Sequence, residues 1–141
     1  MSYISNGFRL AKAATQFSTF HSHKLGAVIM RRRSVIAVGW NGEKENPLQK
    51  KYNRYRGFDV DTSANKIHAE CMAVINLIKT DIDPKDCDIF IYREHKNGNP
   101  SPAKPCIACM KLLQETKINN IYFTISENEY GCIKRGSLIE E

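Results

Sequence analysis

The chain has 141 residues, a length suited to a single domain over 1–141, with 42% apolar and 26% charged residues, the proportions of an ordinary soluble globular protein. No apolar run approaches the roughly 20 residues that cross a bilayer as a helix, and the first twenty positions lack the apolar block of a secretory signal, so a cytoplasmic protein with no membrane partner is expected. The net charge of +6 favours anionic ligands such as nucleotides or nucleic acid, and five cysteines in a reducing compartment argue against a disulfide framework.

A first helix is predicted over Phe8–Phe20, with Leu10, Ala13, Ala14 and Phe17 forming one apolar face. Leu25–Met30 and Ser34–Trp40 read as two buried strands, with Arg31-Arg32-Arg33 as the hairpin turn between them. Asn41–Asn65 is a long polar segment without a period; it carries Pro47 and the basic, aromatic stretch Lys50-Lys51-Tyr52-Asn53-Arg54-Tyr55-Arg56-Gly57-Phe58. Loops of that length in compact domains are usually functional or disordered. A second helix is expected over Lys66–Lys79, burying Ala69, Met72, Ala73, Ile75 and Leu77. Asp88–Arg93 is a third strand, and Glu94–Lys104 a loop marked by Asn97-Gly98-Asn99-Pro100 and Pro102. Pro105 suits the first position of a third helix that ends near Thr116. Ile118–Ile125 gives a fourth strand, and residues 126–141 leave room for a short further one. The order of elements is that of an α/β layered domain. Cys71, Cys87 and Cys132 lie in apolar surroundings and read as small core residues.

Two motifs carry chemistry. His68-Ala69-Glu70 opens the second helix, and Pro105-Cys106-Ile107-Ala108-Cys109 opens the third. Helices that follow strands or loops in this way begin at one edge of a central sheet, which brings the two motifs together. A catalytic zinc site takes three protein ligands and keeps a fourth position for water. His68, Cys106 and Cys109 fill that quota, and a helix N-terminus stabilises the thiolates. Zinc lowers the pKa of its water toward about 7. Glu70 is then placed to take a proton and deliver it to a substrate, as a general acid and base. A lone C-x-x-C also serves redox pairs and structural half-sites, and H-x-E alone arises by chance; their joint placement at two helix starts favours catalysis. The other class of reading is a zinc-stabilised binding module without catalysis. Such a site is closed by a fourth protein ligand, for which His21, His23 and His95 are candidates, and it has no use for Glu70.

With these residues the sequence resembles the cytidine/deoxycytidylate deaminase superfamily, whose signature is H-x-E followed by P-C-x-x-C. Leu25-Gly26-Ala27-Val28-Ile29 is similar to the family's first strand, Gly39-Trp40-Asn41-Gly42 to the G-Y-N-G of deoxycytidylate deaminases, and Asn65-Lys66-Ile67-His68-Ala69-Glu70 to their N-x-I-H-A-E. The resemblance runs from about Phe8 to Thr124. It implies a three-layer α/β/α fold around a mixed sheet of about five strands, a Zn2+ cofactor, hydrolytic removal of the C4 amine of cytosine with release of ammonia, and a homo-oligomer. By position it implies that Asn41 bonds the sugar or base edge, the Ala69 N–H the base carbonyl, and the carbonyl near Lys104 the amine. The family commonly has Ser or Glu where Lys104 stands. Cytidine-deaminase-like members close with a hairpin, whereas deoxycytidylate deaminases insert a helix between their last two strands; the short tail after Ser126 suits the hairpin.

The substrate expected first is a free cytosine nucleotide or nucleoside of deoxycytidylate type, its phosphate met by cations among Lys24, Arg54, Arg56 and Lys104. The alternative is single-stranded DNA or RNA. For that reading, Tyr52, Tyr55 and Phe58, interleaved with Lys50, Lys51, Arg54 and Arg56, would form a basic track with stacking platforms.

Overall fold

The computed structural model describes residues 2–20, 23–56 and 66–136. Its chain order is α1 (Tyr3–Ala14), β1 (Lys24–Arg31), β2 (Ser34–Trp40), α2 (Pro47–Asn53), α3 (Ala69–Ile78), β3 (Asp88–Glu94), β4 (Pro100–Ser101), α4 (Ile107–Thr116), β5 (Asn120–Ser126) and β6 (Glu129–Lys134). The strands form one mixed sheet in the order β2-β1-β3-β5-β6, with the two-residue β4 paired to the end of β3. β1 is antiparallel to both β2 and β3. β3 and β5 are parallel and joined through α4, and β5 and β6 form an antiparallel hairpin.

Both faces of the sheet are covered, which is why β1 reads as a continuous apolar run rather than an alternation. On one face α1 packs Ala11 against Val28, Met30, Phe90 and Tyr92. On the other, α3 and α4 bury Ala73, Val74, Leu77, Leu112 and Leu113 against Ala27, Ile29, Ile89 and Ile91. The result is the expected three-layer α/β/α arrangement with a mixed central sheet.

Several boundaries differ from expectation for local reasons. α1 starts at Tyr3 because the Ser2 side chain accepts from the Ser5 N–H and caps it. Its buried stripe is Gly7, Ala11 and Ala14, while Ala13 is exposed and Phe17, beyond the helix, lies against the Trp40 ring at 4.9 Å between centroids. Arg31 belongs to β1, and the hairpin turn is Arg32-Arg33 with Arg32 at φ 56°. The long segment after β2 is not structureless: Asn46 accepts from the N–H groups of Leu48 and Gln49 and caps α2, with Pro47 in its first turn. Cys71 and Cys87 are buried as expected, but Cys132 is exposed because it sits on the edge strand β6. Among the described residues no helix is long and apolar enough to cross a membrane.

Candidate active site

The site sits where α3 and α4 begin. Neither helix starts where the periodicity placed it. His68 is the N-cap of α3 and Cys106 the N-cap of α4, so Pro105 precedes the helix instead of opening it. An N-cap residue has extended backbone and ordinarily turns its side chain back onto its own helix. His68 and Cys106 make no such bond. Their side chains meet each other instead: Sγ of Cys106 lies 3.7 Å from Nδ1 of His68, and Sγ of Cys109 lies 3.3 Å from the same nitrogen. Among the described residues these three form a group whose ligand atoms all lie within 4.8 Å of one another.

That α3 lies close enough to the sheet depends on Gly39 in β2. A Cβ there would overlap the Ala69 carbonyl oxygen and come within 2.5 Å of the Ala73 nitrogen. The first turn of α3 therefore rests directly on strand backbone. Glu70, in that turn, is only 3% exposed.

The protonation of the group follows from its crowding. The Cys106 thiol is drawn down to about 4, first by a hydrogen bond from Cys109 and then by His68. Cys109 is correspondingly pushed up, since it holds the proton shared with Cys106 and is buried. Burial would lower His68, but its contact with Cys106 and the charge of Glu70 outweigh it and raise the imidazole. Burial pushes the Glu70 carboxyl up, against the opposing pull of His68. Two helices begin at this spot, and the dipole at each N-terminus adds positive potential.

A cleft of about 380 Å³ opens onto the group, lined by residues that include Asn41, Ala69, Glu70 and Lys104. The sequence placed these four at the site. It did not place Phe20, Leu25 or Lys66, which also line the cleft. Lys66 immediately precedes Ile67-His68, and its Nζ stands 5.8 Å from the Phe20 ring centroid. Asn41 is buried; its Oδ1 accepts from Ser18 Oγ at 2.6 Å and from the Leu25 N–H at 2.9 Å, and its Nδ2 donates to the His23 carbonyl.

Three of the expected phosphate cations do not line this cleft. Lys24 opens β1 opposite Glu94. Arg54 is exposed, with its guanidinium 5.0 Å from the Tyr55 ring centroid and donating to the Tyr55 hydroxyl. Arg56 is half-buried and lies near enough for its charge to act on His68. The aromatic track also changes. Tyr52 is 8% exposed within the main core and stacks on Tyr55 at 6.1 Å, so it anchors α2 and offers no free face to a base. Phe58 lies outside the described residues. Of the histidines considered as a fourth metal ligand, His23 lies 2.9 Å from Arg93 Nη2 and His95 lies 3.2 Å from Asn97 Oδ1, both away from the group, and His21 is outside the described residues.

A mixed sheet covered by helices on both faces, with this pair of helix starts at its edge, is a cytidine-deaminase-like fold. The model of the cytidine and deoxycytidylate deaminase zinc-binding region matches residues 1–125, and the chain belongs to that family. Among solved structures, the dCMP deaminase of cyanophage S-TIM5 is 20% identical, with 91% of this chain and 88% of that one covered and a TM-score of 0.63. The cytidine deaminase of Burkholderia pseudomallei is 19% identical, with 98% and 96% covered and a TM-score of 0.66. That of Mycobacterium leprae is 17% identical over the full length of both chains, with a TM-score of 0.58. At these identities the likeness is one of fold. A search of the curated proteins finds no match.

Proposed function

We propose that the protein is a zinc-dependent deaminase of a free cytosine nucleotide or nucleoside. The observation that carries this reading is the convergence of His68, Cys106 and Cys109, with His68, Cys106 and the buried Glu70 lining one cleft. The donor set suits the metal: one imidazole and two sulfurs, already within 4.8 Å of one another, match the three-ligand pattern of a catalytic zinc. When bound, zinc supplies Lewis acidity and makes water a competent nucleophile at neutral pH.

The remaining work falls to the chain. Burial raises the affinity of Glu70 for a proton; it gives one proton to the ring nitrogen, takes another from the attacking water, and gives that one to the departing amine. The Ala69 N–H, in the first turn of α3, has no partner within its own helix and is free to bond the base carbonyl. The carbonyl near Lys104 accepts from the exocyclic amine. Asn41 offers its second amide N–H to the sugar, since its oxygen already serves Ser18 and Leu25. Lys66 and Lys104 line the cleft and meet a 5′-phosphate, which favours a monophosphate of the deoxycytidylate type. The phage neighbour has been crystallised with dCMP and dUMP. One observation favours the nucleoside instead: β5 and β6 pair as an antiparallel hairpin, the arrangement that the resemblance associates with cytidine-deaminase-like members. Nucleic acid loses the stacking platform of Tyr52. The protein acts in the cytoplasm as a homo-oligomer on this reading.

Ammonia release from cytidine, deoxycytidine, their monophosphates and single-stranded oligonucleotides decides the matter. Turnover of the free compounds is expected. Turnover confined to oligonucleotides, and falling steeply with salt, would replace this reading with the nucleic-acid one.

A further inference from the structure

Gln49 is a glutamine in a place that ordinarily excludes it. Its side chain is 1% exposed, on α2, inside the main core. Burying an amide without partners costs free energy, so both ends of such a group need a bond. They have one each. Oε1 accepts from the backbone N–H of His68 at 3.0 Å, and Nε2 donates to Oδ1 of Asn53, also buried, at 2.9 Å. The neighbouring backbone is held in the same direction: the Gly42 N–H donates to the Ile67 carbonyl, and the Ile67 N–H donates to the Lys44 carbonyl. The His68 N–H is the next group along, and it is met by a side chain.

We infer that Gln49 is a positioning residue for the metal group: its amide fixes the backbone of His68, and thereby the height of the imidazole over Cys106 and Cys109. The inference rests on the zinc reading above. His68 has no cap bond of its own to steady it, and its Nδ1 must keep both sulfurs within reach. α2 is thus a brace under the site: Gln49 bonds the ligand residue His68, and Asn53 holds Gln49. Residues that orient metal ligands are typically worth 10–100-fold in metal affinity.

The test compares Gln49→Met with Gln49→Glu by zinc competition against a chromophoric chelator, with amide exchange at His68 followed by NMR in the metal-free proteins. Met keeps the volume and removes both bonds. A buried Glu, ionised or neutral, keeps an acceptor toward the His68 N–H. Met is expected to weaken zinc binding 10–100-fold and to speed exchange at residue 68, and Glu to stay within about threefold of the parent. Should Gln49→Met fail to fold, the Glu variant and Asn53→Ala, which loosens Gln49 while leaving its acceptor in place, are ranked the same way. Equal affinities in parent, Met and Glu proteins, or Glu as weak as Met, overturns the inference. A parent protein that takes up no zinc overturns the metal reading itself, and exchange at His68 still separates the two failures.

Discussion

The backbone of Gly39 in β2 lies directly beneath the carbonyl of Ala69, so the first turn of α3 and the sheet touch without a side chain between them. Gly39→Ala places a methyl group against backbone that cannot swing aside. Overpacking of this kind costs about 1–3 kcal/mol. The displaced turn also carries Glu70 and follows His68, so zinc content should fall with stability. Gly42→Ala is the control, because a Cβ there meets only an ordinary contact, 3.5 Å from Ile67. Urea unfolding and metal analysis of the two variants provide the check; a Gly39→Ala protein as stable as the Gly42→Ala one contradicts this account.

Glu70→Gln keeps the shape of the buried side chain and removes the group that carries a proton. General acid–base groups are worth roughly 10²–10⁴-fold in rate. Ammonia release should fall by that order while zinc stoichiometry and the thermal midpoint stay close to the parent's. Loss of zinc from this variant would make the carboxyl a structural requirement of the site, and unaltered turnover would remove it from the reaction.

The parts of the fold legible in the sequence are those where one physical signal dominates. β1, β2, β3 and β5 are apolar runs bounded by turn residues, and they fall where expected within a residue or two. The meeting of His68, Cys106 and Cys109 was legible because their two motifs open neighbouring helices. α2 was not, since the residues it buries are Gln49, Tyr52 and Asn53, and polar residues held by mutual hydrogen bonds leave no hydrophobic period. Its one signature was Asn46-Pro47, a cap followed by proline. The same lack of a period hid the bond from Gln49 to the His68 backbone, and charge alone carries no direction: Lys66 lines the cleft, whereas Lys24 stands opposite Glu94 in the sheet and Arg54 lies against Tyr55.

Cysteine chemistry gives a test that needs no substrate. In metal-free protein the thiolate of Cys106 is already formed well below neutrality, its pKa about 4. Cys71 is pushed up to about 12, and Cys87, Cys109 and Cys132 are also raised. Below its pKa a thiol gains thiolate tenfold per pH unit; above it the fraction is constant. Alkylation of Cys106 should therefore be flat between about pH 6 and 8, while the exposed Cys132 reacts faster with each step upward. Zinc should protect Cys106 and leave Cys132 untouched. Peptide mapping by mass spectrometry follows both residues at once, and a tenfold rise per unit at Cys106 would refute its assignment as the standing thiolate.

The two lysines of the cleft separate the nucleotide and nucleoside readings. Lys66 is half-buried and Lys104 exposed, so a phosphate held by Lys66 is shielded more from salt than one held by Lys104. Replacing Lys66 by Ala should raise the KM for a cytosine monophosphate about tenfold, equivalent to about 1.4 kcal/mol, with kcat little changed. Lys66→Arg, which keeps the charge, should recover most of that loss. The corresponding nucleoside has no phosphate to lose, and its KM should not move. Equal effects on both compounds would assign Lys66 to the base or sugar, and the preference for a monophosphate would then have to come from Lys104 or be given up.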